Sequence, residues 1–317
     1  MHILILGAAG MIGRKLTAAV AAGALPHTRL TLADVAAPPA IPGATSLALN
    51  LTDASAPATL LRHRPDLIFH LAAVVSGEAE ADLAKGYATN LDASRALFDA
   101  IAAIPDYCPR VVFASSLAVF GAPFPKVIPD DFHLTPRTSY GAQKAMTELL
   151  LSDYSRRGLL DGIAIRLPTI CIRPGAPNRA ASGFYSSILR EPLNGLPATL
   201  PVRDSLRHWF ASPRAATGFF LRAASVDTTR LGPSRALTMP GLSASVAEMI
   251  AALRRTAGQS AVNLIRHAPD PVIAAIVEPW AEAFEATAAR ALGFTAETSF
   301  DDIIRIYIED DLPTPSI

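Results

Sequence analysis

Apolar positions gather into six short runs along the first half of the chain: HILIL (2–6), RLTLA (29–33), SLALN (46–50), DLIFH (66–70), RVVFA (110–114) and GIAIR (162–166). Alanine-rich stretches of helical character separate them at 11–22, 55–63, 79–103 and 139–157. This alternation predicts successive βα units, a parallel sheet with helices on both faces. The runs are continuously apolar rather than alternating, as strands covered on both sides require. Past residue 167 the rhythm breaks at LPTICIRPGAPNRAASGF, where proline, glycine and polar residues replace the repeating units. The expectation is an α/β fold: a doubly wound parallel sheet over 1–167 and a smaller C-terminal substrate-binding lobe over 168–317, with segments of that lobe returning to the sheet. Within the lobe 185–198 and 243–258 read as helices, 208–210 and 235–240 as short strands, and the final DDLPTPSI as a loose end.

At 317 residues the chain can bury a large core. Half of it is hydrophobic and 18% is charged, with 28 basic residues balancing 28 acidic ones, so no basic face for nucleic acid is expected. That balance leaves a small molecule or another protein as the partner. Cys108 and Cys171 are too few and too far apart for a zinc site or a disulfide framework, which suits a reducing cytoplasm. The opening MHILILGAAGMIGRK lacks a basic leader, and no apolar run approaches about 18 residues, so neither a signal peptide nor a membrane span is expected.

In ILILGAAGMIG, Gly7, Gly10 and Gly13 follow the first strand and open the first helix. Glycine there permits a tight turn, lets backbone approach a pyrophosphate and lets the helix pack closely. The helix start, with Met11 and Ile12, offers unpaired N–H groups and the positive end of its dipole to phosphate. The spacing G-x-x-G-x-x-G differs from the commonest dinucleotide fingerprint, yet the strand, loop and helix context is what that motif requires. Asp34 ends the second strand, where a carboxylate accepts hydrogen bonds from the adenosine ribose and repels a 2′-phosphate, favouring NAD over NADP. A strand-end turn aspartate is the competing reading. Ligands of such sheets lie beyond the carboxyl ends of the strands, so Asn50 and Leu51 after the third strand, and Leu71, Ala72 and Ala73 after the fourth, can line the cofactor cleft. Ordinary strand-to-loop packing accounts for them nearly as well.

SYGAQKAMTE puts Tyr140 and Lys144 four residues apart, on one face of a helix. Alone, the pair reads as readily as a tyrosine near a solvated lysine. Ser116, ending the fifth strand in FASSLAVFG, adds a hydroxyl on the same side of the sheet. Together with the glycine loop, Ser116, Tyr140 and Lys144 resemble the Ser-Tyr-x-x-x-Lys apparatus of the short-chain dehydrogenases/reductases. The loop spacing and chain length resemble the extended branch, which also contains sugar-nucleotide epimerases and dehydratases. The resemblance implies a Rossmann-type fold and NAD, with Tyr140 as general base, Ser116 orienting the substrate oxygen and Lys144 holding the nicotinamide ribose. It also implies cofactor-side roles for Asn90, at the position that connects the lysine to solvent, and for Pro168. A free tyrosine has a pKa near about 10. A cation about 4 Å away, at an effective dielectric near 20, favours phenolate by roughly 4 kcal/mol, or about three pKa units, before desolvation takes some back. Ser115, next to Ser116, either points away from the cleft or touches substrate.

Dehydratases of the extended branch carry an Asp-Glu pair just after the serine segment, and SLAVF stands there instead, which disfavours dehydration. The segments IRLPTICIRPGAPNRAASGFYSSILREPLNG and LPVRDSLRHWFASPRAA resemble the D-erythronate dehydrogenase group, NAD-dependent enzymes that oxidise a four-carbon sugar acid at its 2-hydroxyl. That resemblance implies a small sugar-acid substrate whose carboxylate suits an arginine fork. Asn178, Arg179 and Arg207 are the candidates, with Arg173 behind them, against the plainer reading of surface ion pairs. Ser76 either meets a substrate hydroxyl or caps the next helix, and Thr169 is expected near the nicotinamide. His208 and Trp209 read as packing residues, and the histidines form no metal pattern; hydride transfer to NAD needs none. A sugar-nucleotide 4-epimerase is the alternative, because transient oxidation needs the same three groups. A non-catalytic dinucleotide sensor would be expected to lack the tyrosine or the lysine. By resemblance, the chain pairs as a cytoplasmic homodimer through the helices at 79–103 and 139–157.

Overall fold

The computed structural model describes residues 1–38, 40–175, 181–232 and 234–312. Its first half runs β1 (His2–Leu6), α1 (Met11–Ala21), β2 (Arg29–Asp34), β3 (Ala44–Ala48), α2 (Ala56–Leu61), β4 (Leu67–His70), α3 (Ser76–Ala81), α4 (Leu83–Tyr87), α5 (Ala93–Ala102), β5 (Arg110–Ser116), α6 (Ser139–Arg156) and β6 (Asp161–Leu167). There follow β7 (Thr169–Ile170), α7 (Gly183–Leu193), β8 (Ala198–Leu200), β9 (Arg207–Ala211), α8 (Pro213–Ser225), β10 (Ala236–Thr238), β11 (Leu242–Ser245), α9 (Val246–Val262), β12 (Ile265–His267), α10 (Pro271–Val277), α11 (Thr287–Ala291) and α12 (Phe300–Asp310).

Seven strands make one parallel sheet in the order β3-β2-β1-β4-β5-β6-β10, so the late strand β10 does return to it. The winding reverses between β1 and β4, and the crevice beyond the carboxyl ends there is the natural ligand position of a doubly wound sheet. Successive residues of β1 feed opposite cores. Ile3 and Ile5 join Leu16 and Val20 of α1 and Phe219 and Phe220 of α8, whereas Leu4 and Leu6 join Leu97, Phe98 and Ile101 of α5 and Leu151 of α6. Two dry faces explain why the strand runs are continuously apolar, each such side chain contributing roughly 1.5–3 kcal/mol on burial. A third core ties α7, α9 and α12 through Ile188, Leu189, Met249, Leu253, Ile303 and Ile304. Beside it lie the mixed sheet β11-β9-β7 and the pair β12-β8.

Four boundaries differ from the apolar pattern. β3 sits two residues earlier than SLALN, because it is an edge strand whose register against β2 (Leu30 opposite Ala44) rather than burial fixes it. The single helix expected over 79–103 is three helices and a π-helical turn, Ala88–Asp92; Asp82, in extended backbone, ends α3 and accepts from the Lys85 amide to start α4. The helix expected over 185–198 stops at Leu193, where Asn194 and Gly195, the latter at φ 73°, turn the chain into β8. The stretch 243–258 begins as β11; α9 starts only after a capping box in which Ser245 and Glu248 satisfy each other's backbone amides. The expected loose end is tied down over its first residues: Asp311 pairs with Lys15 at 2.7 Å and Leu312 packs on the third core.

Candidate active site

The glycine loop is folded tightly against both β1 and β4. Gly7 holds a left-handed φ of 84°, and its amide donates to the Ala33 carbonyl at 2.9 Å. A Cβ on Gly13 would stand 2.0 Å from the Gly7 oxygen, and one on Gly7 would stand 2.7 Å from the Ala72 nitrogen, so neither position admits a side chain. Gly10 is the exposed N-cap of α1 and provides no side-chain cap, which leaves the first N–H groups of the helix for an anion. Asp34 turns its carboxylate onto this loop, Oδ2 accepting from the Ala9 amide at 2.9 Å and Oδ1 from Ala36 at 3.2 Å. Met11, Ile12, Leu51, Leu71, Ala72 and Ala73 are half-buried around the same end of the sheet, and Asn50 is exposed with its Oδ1 accepting from the Thr52 amide. A side-chain-free helix start beside a ribose-height carboxylate fits a dinucleotide.

Tyr140 and Ser116 are brought together by a close approach of backbones. Thr138 caps α6 by accepting from the Gly141 amide at 3.1 Å, and a Cβ on Gly141 would stand 2.1 Å from the Ala118 oxygen. The first turn of α6 therefore seats on the short 3₁₀ turn Leu117–Val119, which Ser116 itself starts by accepting from the Ala118 amide at 3.2 Å. This seating sets the Ser116 hydroxyl where it acts on the Tyr140 phenol. One turn deeper, Lys144 is 1% exposed; its ammonium donates to the Ala114 carbonyl at 2.8 Å and lies 4.6 Å from the Phe113 ring centre and 5.7 Å from that of Tyr140.

Burial and two neighbours set the environment of the phenol. Burial raises Tyr140 above its ordinary value, and the opposing influences are the Ser116 hydrogen bond and the positive charge of Arg173. Burial also brings Lys144 down to about 7, against the pull of Glu148. The positive charge of Arg173, on the chain after β7, lowers the phenol against that rise, and the Lys144 ammonium lies 5.7 Å from the centre of its ring.

Several candidates stand elsewhere. The Ser115 hydroxyl, 3% exposed, turns away from the cleft and donates to Glu148, because successive strand residues face opposite sides of the sheet. Arg207 is committed to β11 and α9, donating to the Ser243 carbonyl at 3.0 Å and pairing with Glu248 at 2.9 Å. Asn90 sits in the π-helical turn, 1% exposed; its Oδ1 accepts from the Val74 amide at 2.9 Å, and its Nδ2 donates to the Val74 carbonyl and to Gln143 Oε1 at 2.7 Å. It thus staples the loop after β4 to α6 and makes no bond to Lys144. Ser76 opens α3 without capping it, since Val75 holds the cap position. Pro168 is buried, and Thr169 bonds His208 Nε2 at 2.8 Å while Nδ1 of that ring meets the Ala281 carbonyl at 3.0 Å. A carbonyl only accepts, so Nδ1 carries the ring proton and Nε2 accepts from Thr169. Trp209 donates to the Met239 carbonyl; both it and His208 are internal packing residues. Asn178 and Arg179 lie outside the described residues. Sequence reading missed Gln143, Glu148 and Arg166, although Tyr140, Lys144 and Glu148 recur at intervals of four along α6.

Among the described residues no group of three or more His, Cys, Asp or Glu is placed to hold a metal, and no helix is long and apolar enough to cross a membrane. The sequence profile of the NAD dependent epimerase/dehydratase family matches residues 3–225. The chain is 45% identical over 98% of its length, and 98% of the relative's, to a D-erythronate dehydrogenase of Cupriavidus necator. It is 40% identical to another of that name from Haemophilus influenzae, over 98% of this chain and all of the relative. A crystal structure described as the nucleoside-diphosphate-sugar epimerase from Agrobacterium tumefaciens superposes with a TM-score of 0.95 at 58% identity, covering 98% of this chain and 94% of that one.

Proposed function

The chain belongs to the NAD dependent epimerase/dehydratase family, and on that premise we propose that it oxidises D-erythronate to 2-dehydro-D-erythronate. It is an NAD-dependent oxidoreductase. When bound, NAD supplies the acceptor for the hydride that leaves the second carbon of the substrate. Gly7, Gly10 and Gly13 would hold its pyrophosphate at the start of α1, and Asp34 its adenosine ribose. Ser116 and Tyr140 take the 2-hydroxyl between them. Tyr140, as phenolate, accepts the hydroxyl proton while the carbon–hydrogen bond breaks, leaving a 2-oxo acid. Lys144 would hold the nicotinamide ribose of the bound cofactor.

The observation that carries this reading is the 45% and 40% identity, along almost the whole chain, to two D-erythronate dehydrogenases. In a 2-hydroxy acid the carboxylate is attached to the reacting carbon, so its cationic partner must neighbour the base. Arg173 is the candidate, its Nε anchored on the Ile170 carbonyl at 3.0 Å and its charge among those that act on the phenol, whereas Arg207 is engaged elsewhere and Arg166 is sealed against Glu148. We assign Arg173 to the carboxylate, with Thr169 and Ser76 toward the remaining hydroxyls. The site residues and the division into a cofactor half and a substrate lobe near residue 167 are part of this proposal.

The second reading is a sugar-nucleotide 4-epimerase, favoured by the description of the 58% identical Agrobacterium structure. NADH absorbance followed with D-erythronate, related tetronates, L-threonine and UDP-sugars in turn separates the two. Net NADH with a sugar acid alone supports the dehydrogenase; UDP-sugar interconversion without accumulated NADH refutes it. A cytoplasmic homodimer is proposed as well, supported by the exposed apolar Leu83 and Leu149 on α4 and α6.

A further inference from the structure

His208 packs internally on β9, yet its two ring nitrogens meet partners of opposite kind. The side chain is 5% exposed. Its ring stacks on Tyr185, 5.7 Å between centres and 11° between planes, and is closed in by Trp280 at 5.1 Å and Phe210 at 5.5 Å. Burial lowers the imidazole to about 4, and no carboxylate is among the groups that act on it, so near neutrality the ring is uncharged and carries one proton. Nδ1 lies 3.0 Å from the Ala281 carbonyl, which only accepts, and so it holds that proton. Nε2 keeps a lone pair, 2.8 Å from Oγ1 of Thr169, and accepts the hydroxyl proton.

The other partner of this bond borders the catalytic trio. β5 and β6 run in register with Leu167 beside Ser116, so Thr169, two residues further, lies just past the carboxyl ends of both strands. It is half-buried, and the Ile170 carbonyl next to it anchors Nε of Arg173 at 3.0 Å. A threonine hydroxyl has one proton and two lone pairs. Once the proton is committed to His208, lone pairs are all that Thr169 has to offer, and these accept from a hydroxyl but repel a carboxylate oxygen.

We propose that His208 is a positioning residue for substrate recognition: by holding the Thr169 hydroxyl proton on its Nε2, it makes Thr169 an obligate acceptor at the cleft, which takes a hydroxyl group of the substrate and turns away a carboxylate. Arg173, which only donates, and Thr169, which only accepts, then sort the two ends of a polyhydroxy acid. Without His208 the threonine hydroxyl rotates freely, donates as readily as it accepts, and the distinction is lost. The nicotinamide carboxamide also offers N–H donors; a change in preference among substrates, rather than in cofactor affinity, tells the substrate hydroxyl from it.

The proposal rests on the sugar-acid reading for the identity of that hydroxyl, but not for the state of the ring. ¹⁵N-histidine NMR of the NAD-bound protein, which has seven histidines, reads the tautomer, with His208→Gln to assign the signal. A protonated Nδ1 and a bare Nε2 are expected; a protonated Nε2 at neutral pH overturns the proposal. Kinetics read the consequence: kcat/KM is compared for D-erythronate and for its analogues with the 3- or the 4-hydroxyl replaced by hydrogen or by fluorine, which accepts but does not donate. In the wild type a preference for hydroxyl of about tenfold or more is expected at one of the two positions. Intrinsic reactivity cancels when that preference is compared between variants. His208→Asn keeps a donor near the Nδ1 position and leaves Thr169 free, whereas His208→Gln puts an amide oxygen near the Nε2 position. The preference for hydroxyl over fluorine should fall about fivefold in His208→Asn and largely return in His208→Gln, whereas a structural loss lowers all substrates together. An equal preference in wild type and His208→Asn overturns the proposal. So does a Thr169→Val variant that raises the KM for NAD and spares the preference, which assigns Thr169 to the carboxamide; this variant and the tautomer decide the matter if His208→Asn does not fold. A wild type that makes no NADH from D-erythronate refutes the substrate reading instead, and the tautomer still decides whether His208 holds the Thr169 proton.

Discussion

The Asp34 carboxylate accepts from the backbone amide of Ala9 at 2.9 Å, so the acid ending β2 and the glycine loop ending β1 form one unit. In the proposed cofactor site this charge-assisted hydrogen bond couples ribose recognition to phosphate recognition. Asp34→Asn is expected to weaken NAD by about 1.5–3 kcal/mol, a roughly ten- to hundredfold rise in its KM. The same change should raise kcat/KM with NADP relative to NAD, because a negative charge no longer opposes a 2′-phosphate. Steady-state kinetics with both cofactors measure this; an unaltered cofactor ratio would place Asp34 outside the ribose site.

Tyr140→Phe removes the proposed proton acceptor while leaving the ring against Lys144. Turnover should fall by about 10²–10⁴-fold with little change in NAD affinity. Paired measurement of kcat and of NAD binding by calorimetry checks it. Turnover near the wild-type level would remove Tyr140 from the chemistry.

Arg173 opposes the rise that burial imposes on the Tyr140 phenol. A base must be deprotonated to act, so activity climbs with pH through the phenol's titration. Taking the Arg173 charge away moves that climb to higher pH. Arg173→Met should thus show an acid limb of kcat/KM displaced upward and a raised KM for the sugar acid, and Arg173→Lys should restore part of both. A pH profile that does not move would separate Arg173 from the phenol.

His70 and His208 are buried with their values lowered from 6.5 to about 3 and about 4. Both are depressed in the folded state, so the unfolded chain binds the extra protons. Their contribution is complete above about 6.5 and is lost as the pH falls toward about 4, at about 1.4 kcal/mol per unit for each histidine. Urea unfolding at a series of pH values between neutrality and about 4.5 should show that steepening decline. Constant stability across the window would mean that one or both rings are charged in the folded protein.

Much of the fold was legible because its strands are dry on both faces, and a run such as HILIL admits few other placements. The glycine loop was legible for a related reason: at Gly7 and Gly13 the space for a Cβ is already filled by backbone. The broken helix before β5 was not. Asp82 ends α3 and caps α4, and Asn90 in the π-helical turn reaches back to Val74, polar contacts that apolar periodicity does not register.

Sequence by itself determined the order of the βα units, the cofactor loop with Asp34, and the trio Ser116, Tyr140 and Lys144, because each is written in local spacing. Tertiary structure alone decided which charges act on that trio. The buried face of α6 carries Gln143, Lys144, Thr147 and Glu148, a polar stripe that reads as a solvated face until β5 and β6 are packed against it. It likewise turned Ser115 from the cleft to Glu148, committed Arg207 to Glu248 and brought the charge of Arg173 to the phenol. The reason is electrostatic: a pair's influence depends on its separation and on the water removed around it, and both are set by chain segments that the spacing of residues does not connect.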